Sequence, residues 1–333
     1  MKIETKEVRE ITKILDELIE EYKAHTPETK RDWRTYEQRV AERIKTAMRE
    51  LEPLIDKAIA TIKIVNGESR GRKPELTLKQ KTSLLLLKRL FERSNREMSI
   101  MLVLFSLLSE IDVSYKTVER LYSDDHVLMV LHNMHTLILK KKGVKDPDTS
   151  GDGTGYSLSI KTHYASAAQK LKDKVKKKSK KSQFIYSFKL LDLDSRMYVA
   201  SGISFKSEQE AFLNAIEMAR ETGVNSIRLD RYYSRQKYVK ILENELGSKL
   251  KVYLIPKKNA TIRGSWKWKR MLNQFVHHTK EFLKEYFQRN QSESGFSEDK
   301  RRFGWKIPQK IEERIQTADF TTLIWHNLFW LKN

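Results

Sequence analysis

The chain opens with apolar side chains that recur at separations of three and four residues, the period of a helix with one buried face. The first group comprises Ile11, Ile14, Leu15, Leu18 and Ile19. A second group comprises Val40, Ile44, Ala47, Leu51, Ile55 and Ile59. The pattern predicts helices throughout residues 1–65, broken locally at Pro53 because proline removes a helical hydrogen bond. Such amphipathic helices need a partner surface.

Glycine, serine, proline and basic residues then cluster at 66–74, where we predict a linker. The apolar pattern resumes and predicts three helices, over 78–93, 96–108 and about 115–140. Asp112 or Ser114 can cap the third helix by accepting bonds from its first free N–H groups.

The second and third of these helices are joined by a short turn, and this arrangement resembles a helix-turn-helix. The helix-turn-helix unit would occupy residues 72–143. Its recognition helix would present Lys116 and Arg120 to the major groove of DNA. Three ordinary helices in a bundle give the same pattern, so both interpretations remain open.

From residue 145 the period changes to that of short strands, in the order strand, hairpin, helix, strand, helix, strand, helix. The pair Asp194-Ser195 suits the hairpin turn, Ser207 caps the next helix, and Gly223 and Gly247 end helices. This order predicts a mixed sheet covered by helices, an α/β domain over 145–333. The expected fold is therefore multidomain α+β, with an all-α N-terminal region before the α/β domain.

Two carboxylates belong to strands that are expected to be parallel neighbours. Asp152 lies on or just after the first strand, and Asp230 ends the fourth. Ends of neighbouring parallel strands lie close together, and paired carboxylates suit hard divalent cations. A third carboxylate would come from a later helix, and over 145–333 this plan resembles the ribonuclease H-like fold.

Charge and composition narrow the partners. The chain has 65 Lys and Arg against 44 Asp and Glu, a formal charge of +21, which favours a polyanion such as nucleic acid. The longest apolar run, 101–108, is far shorter than the roughly 20 residues that span a bilayer. With no cysteine in the sequence, any metal must be held by carboxylates or histidines. The N-terminus has no secretory signal pattern, so we expect a cytoplasmic protein.

The segment 285–305 carries the most specific motif. Tyr286, Arg289, Glu293 and Lys300 stand at separations of 3, 4 and 7 residues. This spacing resembles the tyrosine-arginine-glutamate-lysine signature of a large group of prokaryotic insertion-sequence DDE transposases. The surroundings of Asp152 and Asp230 are also similar to that family, and the resemblance covers roughly the last 190 residues. At 100° per residue, the four positions would share one face of a single helix.

The resemblance implies a catalytic and metal-binding triad of Asp152, Asp230 and Glu293 with two Mg²⁺ ions, for which Mn²⁺ can substitute. Arg289 and Lys300 would hold DNA phosphates, and Tyr286 would pack against sugar, base or phosphate. The partner would be double-stranded DNA, as transposon ends and target, bound by a homodimer in a prokaryotic cytoplasm at the nucleoid. Residues 1–143 would bind the terminal repeats and 145–333 would cut and join strands.

Other residues keep two interpretations. Trp266 and Trp268, between basic residues, could stack on an unpaired base or be buried in the core. The lysine-rich run 170–181 could be a solvated loop or could neutralise phosphates. Helices in 1–65 could form the dimer interface or pack on their own DNA-binding domain. Only 63 residues separate Asp230 from Glu293, too few for the β-rich insertion domain of larger relatives.

Two other functions remain as alternatives. A domesticated relative would bind DNA without cutting it, and another ribonuclease H-like nuclease would cut without transposing. The complete triad and signature argue against the first. The signature and the long N-terminal region argue against the second.

Overall fold

The structure of the chain is a computed structural model. It describes residues 3–24, 32–62, 76–91, 95–104, 113–158, 184–309 and 311–332. Across these ranges, no helix combines the length and apolar composition needed to cross a bilayer.

Three helices form the first described part of the chain: α1 (Thr5–Lys13), α2 (Leu15–Ala24) and α3 (Trp33–Ala60). The predicted break at Pro53 was wrong, because α3 runs through it without interruption. Pro53 lies on the exposed face of α3, and the carbonyl that loses its N–H partner belongs to exposed Arg49.

Helices α1 and α2 pack on the C-terminal third of the chain. Val8 and Leu15 are buried there. The ring of Tyr22 stacks on Phe287 with centroids 4.9 Å apart, and Lys280 Nζ lies 3.0 Å from a carboxylate oxygen of Glu21. Much of the apolar face of α1 and α2 is therefore covered within the same chain. The surface that covers it belongs to the C-terminal third and not to the helix-turn-helix segment that the sequence analysis considered as a partner.

The described residues between α3 and the sheet form four further helices: α4 (Leu78–Leu90), α5 (Asn95–Leu104), α6 (Tyr115–Arg120) and α7 (Asp125–Lys142). The sequence predicted one helix where α6 and α7 are separate. Asp124 causes the break, since its carboxylate accepts from the N–H groups of His126 and Val127 and so begins a new helix. Ser114 caps α6, as predicted. The predicted linker 66–74 and the predicted turn before α6 lie outside the described residues.

The last helix, α13 (Glu312–Phe329), is buried along almost its whole length between the sheet and helices α3, α4 and α7. The indole N–H of Trp325 donates to the Leu86 carbonyl at 2.8 Å, and Arg89 Nε donates to the Thr322 hydroxyl at 2.9 Å. The N-terminal helices and the sheet therefore share one continuous core.

The sheet has six strands: β1 (Asp148–Leu158), β2 (Phe184–Asp192), β3 (Tyr198–Ser204), β4 (Ser226–Arg228), β5 (Lys251–Tyr253) and β6 (Lys306–Ile307). Their order is β3-β2-β1-β4-β5, and β6 pairs with the far end of β1. Strand β2 is antiparallel to β1 and β3, whereas β4 is parallel to β1 and β5. The predicted mixed sheet is confirmed.

Helices cover both faces of this sheet: α8 (Glu208–Ala219), α9 (Gln236–Leu246), α10 (Trp266–His277), α11 (Thr279–Phe287) and α12 (Asn290–Phe303). Ser207 caps α8 and Gly247 ends α9 at φ 91°, as predicted. Side chains alternate along β2, so Phe188 faces Phe212 of α8 while Lys189 faces the side of α12 and α13.

Candidate active site

Asp152 projects from the middle of β1 on the face that α12 covers. Its Oδ1 accepts from the Gly153 N–H at 3.0 Å. On the opposite face, Gly151 leaves no room for a side chain, since a Cβ there would lie 2.7–2.8 Å from Leu229, Leu190 and Phe188. Glycine therefore lets β1 pack closely beneath the aspartate.

Asp230 lies two residues beyond the end of β4, the parallel neighbour of β1. It begins a short 3₁₀ helix, Arg231–Tyr233, with the N–H of Tyr233 donating to its carbonyl at 2.9 Å. The tight turn follows the strand immediately, which keeps the carboxylate at the strand edge.

The signature residues do not lie on one helix, which corrects the prediction from helical geometry. Tyr286 lies in the last turn of α11, whereas Glu293 and Lys300 belong to α12. Arg289 lies at the junction, where the backbone follows the tighter i to i+3 pattern: its N–H donates to the Tyr286 carbonyl, and that of Ser292 donates to the Arg289 carbonyl, both at 3.0 Å.

Ser150 of β1 joins this junction to the sheet. Its hydroxyl lies 3.0 Å from the Arg289 carbonyl and 2.9 Å from the Ser292 hydroxyl. Because Ser150 and Asp152 lie two residues apart on one strand, they face the same side. The bonds from Ser150 therefore fix Arg289 and Glu293 over Asp152, a role that the sequence did not reveal.

A second connection ties α11 to β4. Buried Arg228 donates from Nε to the Glu285 carbonyl at 2.9 Å and forms an ion pair with the Glu285 carboxylate. Since Arg228 is two residues before Asp230, this pair positions α11 against the strand that leads to the second aspartate. Sequence analysis did not single out Arg228, because a buried arginine in a strand has no local signature.

The guanidinium of Arg289 lies between two of the three predicted carboxylates. Its Nη2 is 2.7 Å from Glu293 Oε1, and its Nη1 is 4.0 Å from Asp152 Oδ1. Its Nε is buried and has no hydrogen-bond partner among the residues that the structure describes. We call Asp152, Asp230, Arg289 and Glu293 the carboxylate site.

The carboxylates of this site affect one another. Burial raises the pKa of Asp152 to about 6, and Glu293 and Asp230 add to the rise. The Arg289 guanidinium and the Gly153 N–H act in the opposite direction. One cation therefore offsets only part of the negative charge that the fold concentrates here.

Lys300 lies farther along the same face of α12. Its Nζ donates to the Thr154 hydroxyl at 2.6 Å and stands 4.5 Å from the centre of the Trp305 ring. The side chain of Trp305 is 65% exposed. Sequence analysis did not identify Trp305 as a candidate residue, because it was noted only as part of the sequence that follows the motif.

The remaining predicted DNA-contacting residues differ in exposure. Trp266 is 85% exposed, whereas Trp268 is 3% exposed and its indole N–H donates to the Thr261 carbonyl at 2.8 Å. The core interpretation of Trp268 therefore fits, and base stacking by its ring does not. Tyr286 is also buried, which leaves little of its ring for DNA.

On α6, both Lys116 and Arg120 are exposed. The helix has only six residues, so any recognition surface continues into neighbouring segments. The lysine-rich run 170–181 lies outside the described residues.

Among the described residues, no three His, Asp or Glu side chains are arranged so that they could already hold a metal ion. The donor set of the carboxylate site nevertheless suits a hard divalent cation, because it offers carboxylate oxygens and the partly buried Asp152 has a raised pKa. A cation held by these oxygens would offset the negative charge that Arg289 partly offsets in the structure.

Comparison with known proteins gives one close relative. The chain is 42% identical over 324 residues, 97% of its length and 95% of the relative's, to a probable transposase for an insertion sequence element of Archaeoglobus fulgidus. No family-wide sequence profile and no solved structure matches the chain.

Proposed function

Because the chain belongs to the insertion-sequence transposases, we propose that it is a DDE enzyme with a ribonuclease H-like catalytic domain. It would cut and join DNA strands at the ends of its element. The strand order β3-β2-β1-β4-β5, with only β2 antiparallel to its neighbours, supports this fold, because that order resembles the ribonuclease H-like sheet.

One observation carries the proposal. Specific hydrogen bonds join the elements that carry the three predicted triad residues. Ser150 joins β1 to the α11–α12 junction, and Arg228 joins β4 to α11. Arg289 lies 2.7 Å from Glu293 and 4.0 Å from Asp152, and the proposal adds Asp230 from the turn that follows β4. Such support from a second shell is what a preorganised catalytic site requires.

In this proposal Asp152, Asp230 and Glu293 hold two Mg²⁺ ions, for which Mn²⁺ can substitute. When bound, the ions supply activation of a water or 3′-hydroxyl and stabilisation of the leaving oxygen. Arg289 then turns from the carboxylates to a DNA phosphate, which it can bind bidentately. Lys300, whose ammonium group lies between Thr154 and Trp305, neutralises a second phosphate, and the exposed Trp305 ring packs against the same strand.

The rest of the chain would bind the DNA duplex. The formal charge of +21 suits many phosphate contacts. Exposed Lys116 and Arg120 remain the candidates for reading the terminal repeats, and exposed Trp266 remains a candidate for stacking on an unpaired base. Cutting and joining two ends calls for two triads, so we propose a homodimer on DNA. The covered apolar face of α1 and α2 makes these two helices poor candidates for its interface.

The test is incubation of the protein and Mg²⁺ with labelled duplexes that carry or lack the terminal repeats of the element. A transposase cuts at the repeat and joins the cut end to target DNA. Cutting without preference for the repeat would indicate a general nuclease instead. Tight binding to the repeat without any cutting would indicate a DNA-binding relative that has lost its activity.

A further inference from the structure

A polar cavity lies beside the carboxylate site at the same edge of the sheet. Its volume is 440 Å³, and it lies between the turn that follows Asp230 and the loop that follows β5. Strands β4 and β5 are parallel, so both segments leave the sheet at its C-terminal edge. Ligands of open α/β sheets bind at this edge.

The lining of the cavity is cationic. Arg235, Lys257 and Arg263 contribute positive charges, and no carboxylate is among the described residues that line the cavity. In the part of the chain that the structure describes, none of the three forms an ion pair. Three unpaired cations around one concave space attract an anion.

Ser234 provides an independent sign of a ligand. The residue lines the cavity and is only 4% exposed, yet its Oγ is buried with no hydrogen-bond partner within the described residues. A buried hydroxyl without a partner costs free energy, so native proteins seldom retain one unless a ligand or water completes it.

The wall of the cavity is fixed by specific packing. Gly264 adopts φ +155°, and a Cβ there would lie 2.7 Å from Trp268 and 2.8 Å from Gln236, so only glycine fits between these two lining residues. The Trp268 indole holds the Thr261 carbonyl at 2.8 Å, and the Ile262 N–H donates to Thr5 of α1 at 3.4 Å. The shape of the cavity therefore does not depend on a bound ligand.

We propose that this cavity binds one phosphate of a DNA strand together with its sugar. The proposal rests on the proposed function, since it gives the strand that passes the carboxylate site a second point of attachment. Arg235, Lys257 and Arg263 would face the phosphate, and the Ser234 hydroxyl would donate to one of its oxygens. The volume lies within the range of small-molecule sites, about 300–1,000 Å³, and exceeds what a lone phosphate needs.

The test measures binding of thymidine 3′,5′-bisphosphate to the full chain by calorimetry, in EDTA so that divalent ions play no part. Binding by the wild type should weaken at least about tenfold in Lys257→Gln/Arg263→Gln, because two charged donors are lost. Ser234→Ala should weaken it about threefold, since one neutral hydrogen bond is lost. Thermal unfolding of each variant shows whether it is folded.

Lys249→Gln/Arg270→Gln is the matched control. It removes the same charge from another basic cavity, of 260 Å³, at the opposite end of β5. The control should bind the bisphosphate within twofold of the wild type. Equal weakening in both double variants, or no binding by the wild type, would overturn the proposal.

Failure of this proposal differs from failure of the proposed function. If the cavity does not bind the bisphosphate, cutting of repeat DNA with Mg²⁺ can still depend on Asp152. If Asp152→Ala still cuts DNA, the catalytic assignment is wrong while bisphosphate binding at the cavity stands.

Discussion

Helix α12 contributes carboxylates to two clusters that differ in their balance of charge. The carboxylate site sets Asp152, Asp230 and Glu293 against one guanidinium, that of Arg289. The second cluster is wholly buried and consists of Lys189, Asp299, Asp319 and His326, which we call the buried ion cluster.

In the buried ion cluster, Lys189 Nζ lies 3.6 Å from Asp299 and 3.7 Å from Asp319. The two ring nitrogens of His326 face acceptors, an Asp299 oxygen at 2.8 Å and the Arg196 carbonyl at 2.9 Å. Lys189 therefore lies between the two carboxylates, and His326 contacts one of them.

This difference in balance indicates a difference in role. Burial alone would lower the pKa of Lys189, but Asp319 and the neighbouring acids raise it above its ordinary value, so the lysine stays charged. The buried ion cluster is closed to solvent and holds α12 on the sheet. The carboxylate site keeps an excess of negative charge and Glu293 is half-exposed, which suits a site that admits cations.

The largest expected effect comes from breaking the open cluster. Asp152→Ala, Asp230→Ala and Glu293→Ala should each reduce strand cleavage more than about a thousandfold, or about 4 kcal/mol, because each removes a metal ligand. Binding to repeat DNA should persist or tighten, since a carboxylate near phosphates repels them. Gel assays of cutting and of binding check both. Substantial cutting by any one variant would remove that residue from the site.

Breaking the closed cluster should instead affect folding. Lys189→Met leaves two buried carboxylates short of a cation and should lower the free energy of unfolding by about 3–5 kcal/mol, measured by urea denaturation. Lys206→Met, at an exposed lysine, is the control and should leave stability unchanged. If Lys189→Met were as stable as the wild type but did not cut DNA, the structural role of the cluster would be wrong.

Divalent cations should distinguish the two clusters directly. Mn²⁺ at about 100 times its Kd should stabilise the wild type by about 2.7 kcal/mol, seen as a higher melting temperature. The same addition should have no effect on Asp152→Asn, which loses one ligand charge without losing volume. A melting temperature that rises equally in both proteins would place the binding elsewhere.

The smallest expected effect is on pH dependence without metal. The pKa of Asp152 is raised to about 6, so the folded state binds this proton more tightly than the unfolded chain does. The stability contributed by the proton is complete below about pH 4 and is lost as pH rises through 6. In EDTA, Asp152→Asn should therefore exceed the wild type by on the order of 1–2 kcal/mol at pH 8 and match it near pH 4. An equal difference at both pH values would contradict this titration.

Local signals predicted several helix ends correctly. The caps at Ser114 and Ser207 and the stop at Gly247 depend on residues adjacent in the chain, and the structure confirms them. The triad itself stays a prediction, although the structure brings its elements together. The signature supplied Glu293, and the expected parallel pairing of β1 with β4, which the structure has, supplied Asp152 and Asp230.

Contacts between distant segments could not be predicted. The bend at Arg289 depends on a hydroxyl from Ser150, 139 residues earlier, and so the four signature positions were wrongly placed on one helix. The docking of α1 and α2 depends on Tyr22 meeting Phe287. From the local sequence, Lys189 would be interpreted as an exposed lysine of a strand. Its two partners, Asp299 of α12 and Asp319 of α13, lie far away in the sequence.

The burial of α13 has a consequence for the order of events during synthesis. The ribosome makes helices α3, α4 and α7 long before α13. The Leu86 carbonyl and Arg89 Nε, however, form hydrogen bonds with Trp325 and Thr322 of α13. Domains generally fold as units while the ribosome extends the chain. Here the N-terminal helices must wait for the last 20 or so residues before their core closes. A message truncated shortly before α13 should therefore yield no folded N-terminal fragment, only a product with apolar surface open to proteolysis.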